Sequence, residues 1–224
     1  MAQGRPIRRR VGRPRPVAGV AARELLLDAA LVLFSEQGVA GTTVAEIAAK
    51  AGMTQAMVHY YFTNKSRLLD AVAKERVLRL VRSVWAPVSA TDEIVPMLRG
   101  LVQRIVNAAE LNPWLPSLWL REIISEGGQL RSRLLRNLPI EHVGHLVRNV
   151  GLAQQRGEVN ADVEPRLILL SVLGLTMLPL ATMRVWNQIA LLQGVTRQDI
   201  ARHAEALLVN ACSGVPNGSG RRPS

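Results

Sequence analysis

Cysteine is nearly absent from this sequence, since Cys212 is the only one among 224 residues. A lone cysteine cannot form a disulfide within the chain, and no pair of cysteines is present to bind zinc. Such cysteine usage is typical of a reducing, intracellular compartment. We interpret Cys212 as a small apolar residue, with a redox-sensing thiol as the alternative.

Long apolar runs are also missing. The longest apolar stretch, from Leu167 to Met183, is interrupted by Gly174, Pro179 and several hydroxyl residues, and it is shorter than a membrane-spanning helix. We therefore interpret it as a buried helix and expect no membrane partner. Apolar residues still make up 48% of the chain, which is enough for a sizeable core and excludes disorder of the whole chain.

Acidic residues are scarce relative to basic ones, 17 against 28, which gives a net charge of +11. This excess favours polyanionic partners, either nucleic acid or an anionic membrane surface. The first 16 positions contain no acid and six arginines, which are Arg5, Arg8, Arg9, Arg10, Arg13 and Arg15. We expect residues 1–19 to form a disordered basic arm. The arm lacks the apolar core of a secretory signal, so we expect the protein to stay in the cytoplasm.

The remaining sequence predicts an all-α fold, because apolar residues recur at helical spacing and no segment alternates. Thr42 and Thr43 stand where the second helix needs an N-cap, and Thr54 and Asn64 occupy the N-cap positions of the next two helices. Thr196 with Asp199 forms an acidic capping box. The predicted helices run over residues 20–38, 44–51, 54–62, 65–83, 92–111, 113–126, 139–156, 164–193 and 196–212. We expect a DNA-binding domain over 20–80, a larger helical domain over 81–213, and a disordered tail over 214–224.

The DNA-binding expectation comes from helices two and three, which are short and joined by a turn containing Gly52. With the supporting first helix, they match a three-helix helix-turn-helix unit, whose recognition helix enters the major groove. That helix must expose polar or small side chains and anchor itself with apolar ones. Val58 and Phe62 are the predicted anchors. The outward residues are Gln55, Ala56, Met57, His59 and Tyr60.

These residues resemble the signature of TetR-type repressors. The similarity rests on GTTVAEIAAKAGMT at 41–54, VHYYF at 58–62 and Asn64-Lys65, with further matches in the first helix, and it extends over about residues 20–80. Beyond residue 80 only the number and order of helices match. The resemblance implies a homodimeric repressor of a double-stranded DNA operator, released by a small-molecule effector. It also implies that residues 81–213 form the effector-binding and dimerisation domain.

The resemblance also implies individual contacts. Thr43 and Lys65 match phosphate-binding positions, Gln55, Ala56 and Met57 match positions that meet base edges, and His59 and Tyr61 match backbone-contact positions. Gln55 could form two hydrogen bonds with an adenine. His59 stands where the family usually has tyrosine, which makes a pH-dependent phosphate contact a hypothesis. Ala56 and Met57 also depart from the usual residues, so the operator sequence does not follow from the family.

The arm contains Gly12-Arg13-Pro14-Arg15, which resembles an AT-hook. In such a segment Arg13 and Arg15 would enter a narrow A/T-rich minor groove. The alternative is a basic tail that attracts phosphates without sequence preference.

An effector pocket is expected in the C-terminal domain, because all four tryptophans lie beyond residue 80. The candidate lining residues are Trp114, Trp119, Arg121, Met177 and Met183. Packing in the core is the alternative for each of the apolar ones. For Arg121 and Glu122 the alternative is a mutual salt bridge.

No catalytic residue, metal or cofactor is expected. His142 and His145 lie one helical turn apart, but nothing nearby in sequence completes a metal site, so we interpret them as structural or exposed. Two other function classes stay open: an architectural A/T-rich DNA-binding protein without an effector, and a helical enzyme or carrier. For the regulator, the resemblance implies a homodimer formed by the last two helices.

Overall fold

The computed structural model describes residues 19–91 and 93–212, and these residues are helical with no strand among them. The α-helices are α1 (Gly19–Gly41), α2 (Val44–Lys50), α3 (Gln55–Phe62), α4 (Lys65–Val72), α5 (Leu78–Trp85), α6 (Ile94–Leu111), α7 (Leu115–Leu118), α8 (Arg131–Leu135), α9 (Ile140–Gln155), α10 (Ile168–Trp186) and α11 (Arg197–Cys212). The all-α prediction is confirmed. The basic arm and the C-terminal tail lie outside the described residues.

The first four helices pack around one hydrophobic cluster. Its centre contains Phe34, Ile47, Val58 and Leu68, all fully buried. Leu130, between α7 and α8, packs into the same cluster. The N-terminal core is therefore completed by residues that are distant in sequence.

In this part of the chain, the helix break and the N-cap residues lie where the sequence predicts them. The helical path of α1 breaks at Gly38, where φ is +80°, a conformation that glycine adopts without strain. Thr43 caps α2 in a capping box with Glu46, and the Asn64 side chain accepts from the amide of Arg67. Thr54 occupies the N-cap position of α3, but its side chain makes no capping hydrogen bond.

A π-helical turn, Ala73–Val77, joins α4 to α5, so the predicted fourth helix is continuous but not regular. Its charged side chains bind α1. Arg23 donates to both oxygens of Glu75 at 2.7 Å, and Arg76 donates to Glu24 and Asp28 at 2.7 and 2.8 Å. The hydrogen bonds from Arg23 lower the pKa of Glu75. These pairs fix the connecting helix against α1.

The second hydrophobic cluster lies between α6, α9, α10 and α11. Leu101 and Val102 of α6, Leu146 and Val150 of α9 and Val172 of α10 are buried at its centre. The acidic capping box of the last helix is confirmed: the amide of Thr196 donates to Asp199 and the amide of Asp199 donates to the Thr196 hydroxyl. Hydrogen bonds from Thr196, with a further one from Arg202, lower the pKa of Asp199 to about 2.

The predicted helix over 164–193 is too long, because α10 ends at Trp186 and residues 187–196 are exposed turns. Each residue of that segment is exposed, so continued helix would bury little surface against the described part of the chain. The structure also contains two features that the sequence did not predict: the short helix α8, and a π-helical turn, Trp119–Ile124, that follows α7.

The prediction that α10 is a buried helix is wrong for one of its faces. Leu167, Leu170, Leu178 and Val185, which we call the α10 stripe, lie at helical spacing and are all exposed. By length and composition alone, Pro165–Trp186 is also long and apolar enough to cross a membrane, the one such helix among the described residues. Core helices of soluble proteins also meet this criterion of length and composition. No element within residues 19–91 and 93–212 covers the stripe.

Candidate nucleic-acid interface and adjoining cleft

The candidate interface is centred on α3, which is held against the N-terminal core by buried and packed side chains. Val58 and Phe62 are buried beneath it, and the Arg23 guanidinium lies 5.1 Å from the centre of the Phe62 ring. Met53, in the turn before α3, packs partly buried against the same core. These contacts fix one side of α3 and leave the other side outward, as predicted.

The outward side carries the predicted residues. Gln55, Ala56, His59 and Tyr60 are exposed, with Tyr60 at 81%, whereas Met57 is partly buried. The Gln55 side chain makes no hydrogen bond with any described residue, so its amide is available to a base edge. The face combines donors, acceptors and small apolar groups, which is what readout of a major groove requires.

Tyr61 lies between the outward side and the core. It is partly buried, and its ring contacts Tyr60 edge-on with centroids 5.0 Å apart. The Tyr61 hydroxyl also approaches Gly19 at the start of α1. Tyr61 therefore packs α1 against α3, and its aromatic contact supports the position of Tyr60.

Thr43 and Lys65 flank α3 at the N-termini of α2 and α4. The exposed Thr43 hydroxyl donates to Glu46 at 2.7 Å and accepts from the Glu46 amide at 3.2 Å. Hydrogen bonds from the Thr43 backbone and side chain, in that order, lower the pKa of Glu46. Lys65 is half-buried, and its Nζ donates to the carbonyl of Val39 at 2.5 Å. An ammonium has three N–H donors, so two remain for a phosphate.

His59 is tied to the end of its own helix. Its Nδ1 donates to the carbonyl of Thr63 at 2.9 Å, and Thr63 has a positive φ of 65°. This bond fixes the ring orientation and leaves Nε2 for another partner. The predicted Arg13 and Arg15 lie outside the described residues.

A cleft of about 710 Å³ opens between α1, the α6–α7 corner and the C-terminal end of α10. Three of the predicted pocket residues line it: Trp114, Arg121 and Met183. The other two do not. Met177 is buried in the second hydrophobic cluster, and Trp119 packs partly buried against that cluster.

Glu122 does not form the salt bridge with Arg121 that was the alternative for this pair. It is buried, with 5% of its surface exposed, in the Trp119–Ile124 turn. Its Oε1 accepts from the amide of Val39 and its Oε2 from the amide of Gln129, both at 2.8 Å. Sequence reasoning missed this role, because no local pattern connects Glu122 with Val39.

The histidine pair has a local structural explanation. His142 Nδ1 donates to the carbonyl of Val88 at 3.0 Å, and the two rings contact each other edge-on, 6.1 Å apart. Within residues 19–91 and 93–212, no group of three or more His, Cys, Asp or Glu side chains could hold a metal ion.

Comparison with known proteins identifies the helical unit that carries this interface. Residues 26–72 match the family model described as bacterial regulatory proteins, tetR family. Relatives include the nicotine-responsive transcriptional repressor HdnoR of Paenarthrobacter nicotinovorans, 32% identical over 41% of this chain and 45% of the relative. The chain therefore carries the N-terminal unit of the TetR family. The transcriptional repressor SCO4008 of Streptomyces coelicolor aligns further, 29% identical over 68% of this chain and 75% of its own.

The alignment with curated TetR-family relatives such as HdnoR spans about half of their length. The rest of the fold is also found among solved structures. AibR, solved in complex with isovaleryl coenzyme A and operator DNA, superimposes with a TM-score of 0.67 at 23% identity, covering 84% of this chain and 98% of AibR. The similarity extends the TetR-type fold over the C-terminal helices.

Proposed function

We propose that this TetR-family chain is a homodimeric transcriptional regulator, acting as a repressor in the cytoplasm. It binds a pseudo-palindromic operator through α3 and releases it when a small-molecule effector binds. The observation that carries the proposal is the outward side of α3, where Gln55, Ala56, His59 and Tyr60 are exposed above the buried Val58 and Phe62. Thr43 and Lys65 flank this side at two helix N-termini, where phosphates are favoured.

The α10 stripe supports the dimer. Contiguous exposed apolar surface on one helix is unusual for a monomer and marks an interaction surface. Leu207 of the neighbouring α11 is also exposed, so two adjacent helices offer apolar side chains to a second copy. A twofold axis along this surface would place two α3 helices on one frame. Two linked half-site contacts raise the affinity far above that of one.

The cleft supports effector binding. It contains apolar and polar groups together, including Trp114, Met183 and Arg121, as ligand sites do. AibR, which shares the fold, was solved with both isovaleryl coenzyme A and operator DNA. In this chain α1 forms one wall of the cleft through Val32, Ser35 and Glu36, so a ligand there would touch the DNA-binding segment directly. Release would follow if the ligand prefers a conformer that fits the operator poorly.

Selection from random double-stranded DNA tests the proposal. Full-length protein should enrich a discrete palindrome with half-sites about one helical turn apart. A small-molecule extract of cells, added during a second selection, should release the enriched DNA. Uniform enrichment of A/T-rich sequence would instead support an architectural protein that binds through its basic arm.

A further inference from the structure

The cleft beside α1 contains an unusual convergence of positive charge. Arg121 of the Trp119–Ile124 turn, Arg184 of α10 and Arg197 of α11 all line it. None of the three forms an ion pair or a side-chain hydrogen bond with a described residue. Elsewhere in the described chain, arginines such as Arg23, Arg76 and Arg133 are engaged by carboxylates. The cleft is therefore lined by three exposed guanidinium groups that have no partner among the described residues, so their donors are open to a ligand.

The acidic side of the cleft does not balance them. Glu36 is the one carboxylate among the lining residues, and it lies 3.9 Å from Lys50. Like charges brought together from three elements repel one another unless an anion lies between them. Arginine offers a planar fork of donors that fits carboxylate and phosphate oxygens. The opposite lining is apolar, with Trp114, Leu180 and Met183.

From this arrangement we infer that the effector is an amphiphilic organic anion. Its carboxylate or phosphate would bind Arg121, Arg184 and Arg197, and its apolar body would lie against Trp114, Leu180 and Met183. This inference rests on the proposed function and specifies the ligand class of its effector site.

A pair of fluorescent dyes with the same aromatic body tests it. 8-Anilinonaphthalene-1-sulfonate carries an anionic group, whereas N-phenyl-1-naphthylamine is neutral. The triple variant Arg121→Gln, Arg184→Gln, Arg197→Gln is expected to bind the anionic dye at least tenfold more weakly and the neutral dye unchanged. The matched control is Arg79→Gln, Arg99→Gln, Arg148→Gln, which removes the same charge from exposed positions outside the cleft and should bind both dyes like the wild type.

Competition then distinguishes the sources of the anion. Displacement of the dye by decanoate indicates carboxylate recognition, whereas displacement by decanoyl coenzyme A alone indicates recognition of phosphates. Equal loss of both dyes, no loss in the triple variant, or failure of both anions to displace the dye would overturn the inference. Operator binding by the same samples is measured separately. The proposed regulatory function is therefore tested independently of the proposal that the effector is an anion.

Glu122 carries a second inference that does not depend on the cleft. A buried carboxyl group is costly unless its oxygens are hydrogen-bonded, and here both oxygens accept from backbone amides. Two glycines make room for it. A Cβ at Gly38 would lie 3.2 Å from Glu122 Oε1, and a Cβ at Gly128 would lie 2.3 Å from the Glu122 carbonyl oxygen. The site is thus closely fitted around this side chain.

The backbone of Val39 connects Glu122 to Lys65, the candidate phosphate-binding residue. The Val39 amide donates to Glu122, and the Val39 carbonyl accepts from Lys65 Nζ. A chain of contacts therefore runs from the Trp119–Ile124 turn to the flank of α3.

We infer that Glu122 is a positioning residue, through which the C-terminal helices hold Lys65 in place for operator phosphate. Glutamine in its place would keep one acceptor and lose the other. Glu122→Gln is therefore expected to weaken operator binding about tenfold, like Lys65→Ala.

A double-mutant cycle separates positioning from general destabilisation. If Glu122 acts through Lys65, the combined variant should bind within about twofold of the weaker single variant. Multiplied effects, or an unchanged affinity in Glu122→Gln, would refute the positioning role. Glu126→Gln, an exposed acid just beyond the same turn, is the control and should bind normally. If Glu122→Gln does not fold, Glu122→Asp takes its place in the cycle, because it keeps the charge but is one methylene shorter. Wild-type operator binding tests the proposed function independently.

Discussion

Replacing Leu170 and Leu178 by glutamate is expected to convert the dimer into a monomer. These residues are 62% and 48% exposed in the single chain, and burying a leucine stabilises an interface by about 1.5–3 kcal/mol. Across a twofold axis each substitution also places like charges near each other in a desolvated interface. Sedimentation velocity at micromolar concentration should show the monomer, and operator affinity should fall by at least about 100-fold because the second half-site loses its tether.

The control for this prediction uses apolar residues of similar exposure elsewhere. Leu135→Glu with Ile140→Glu changes positions that are 54% and 65% exposed, outside α10 and α11. This variant should remain dimeric and bind the operator normally. A wild-type protein that sediments as a monomer, or a Leu170→Glu, Leu178→Glu variant that stays dimeric, would show that the α10 stripe is not the dimer surface.

Substitutions of Gln55 and Lys65 are expected to weaken DNA binding in two different ways. Gln55→Ala should remove discrimination at one base pair of each half-site, worth about 1–3 kcal/mol, and leave binding to other sequences unchanged. Lys65→Ala should weaken binding to all sequences and lower the slope of log affinity against log salt by about one per half-site. Fluorescence anisotropy with the selected operator and single-base variants, over a salt series, measures both quantities.

Lys74→Ala is the matched control for Lys65, because Lys74 is exposed and lies in the Ala73–Val77 turn, beyond α3 and α4. Its salt slope should equal that of the wild type. Thermal unfolding of each variant accompanies the binding data, since Lys65→Ala also removes the bond to Val39. Unchanged base preference in Gln55→Ala together with an unchanged salt slope in Lys65→Ala would place the DNA interface elsewhere.

The N-terminal helices could be predicted from sequence because their determinants are local. The N-cap threonine of α2 directly precedes its helix, and the buried Val58 and Phe62 lie in the same short helix as the exposed Gln55 and Tyr60. Signals of this length depend on backbone geometry and side-chain type alone.

The missed features depend on partners far apart in the chain. Glu122 and Val39 are separated by 83 positions, so only the packed fold brings them together. The π-helical turns over 73–77 and 119–124 have no sequence signature. Each of them contacts α1, which is distant in sequence. The exposed face of α10 was also missed, since an apolar run does not reveal whether its surface is covered by its own chain or by another.

The attachments of α1 limit how the DNA-reading helices can move. Near its start, Arg23, Glu24 and Asp28 are ion-paired with the Ala73–Val77 turn, and near its end, Val39 is bound to Glu122, about 20 Å away along the axis. With both attachments in place, α1 and the recognition helix can only translate together with the body of the protein. Loss of the Glu122 attachment alone would leave a pivot at the ion pairs, so that α1 could swing about them and tilt α3 out of register with its twofold mate.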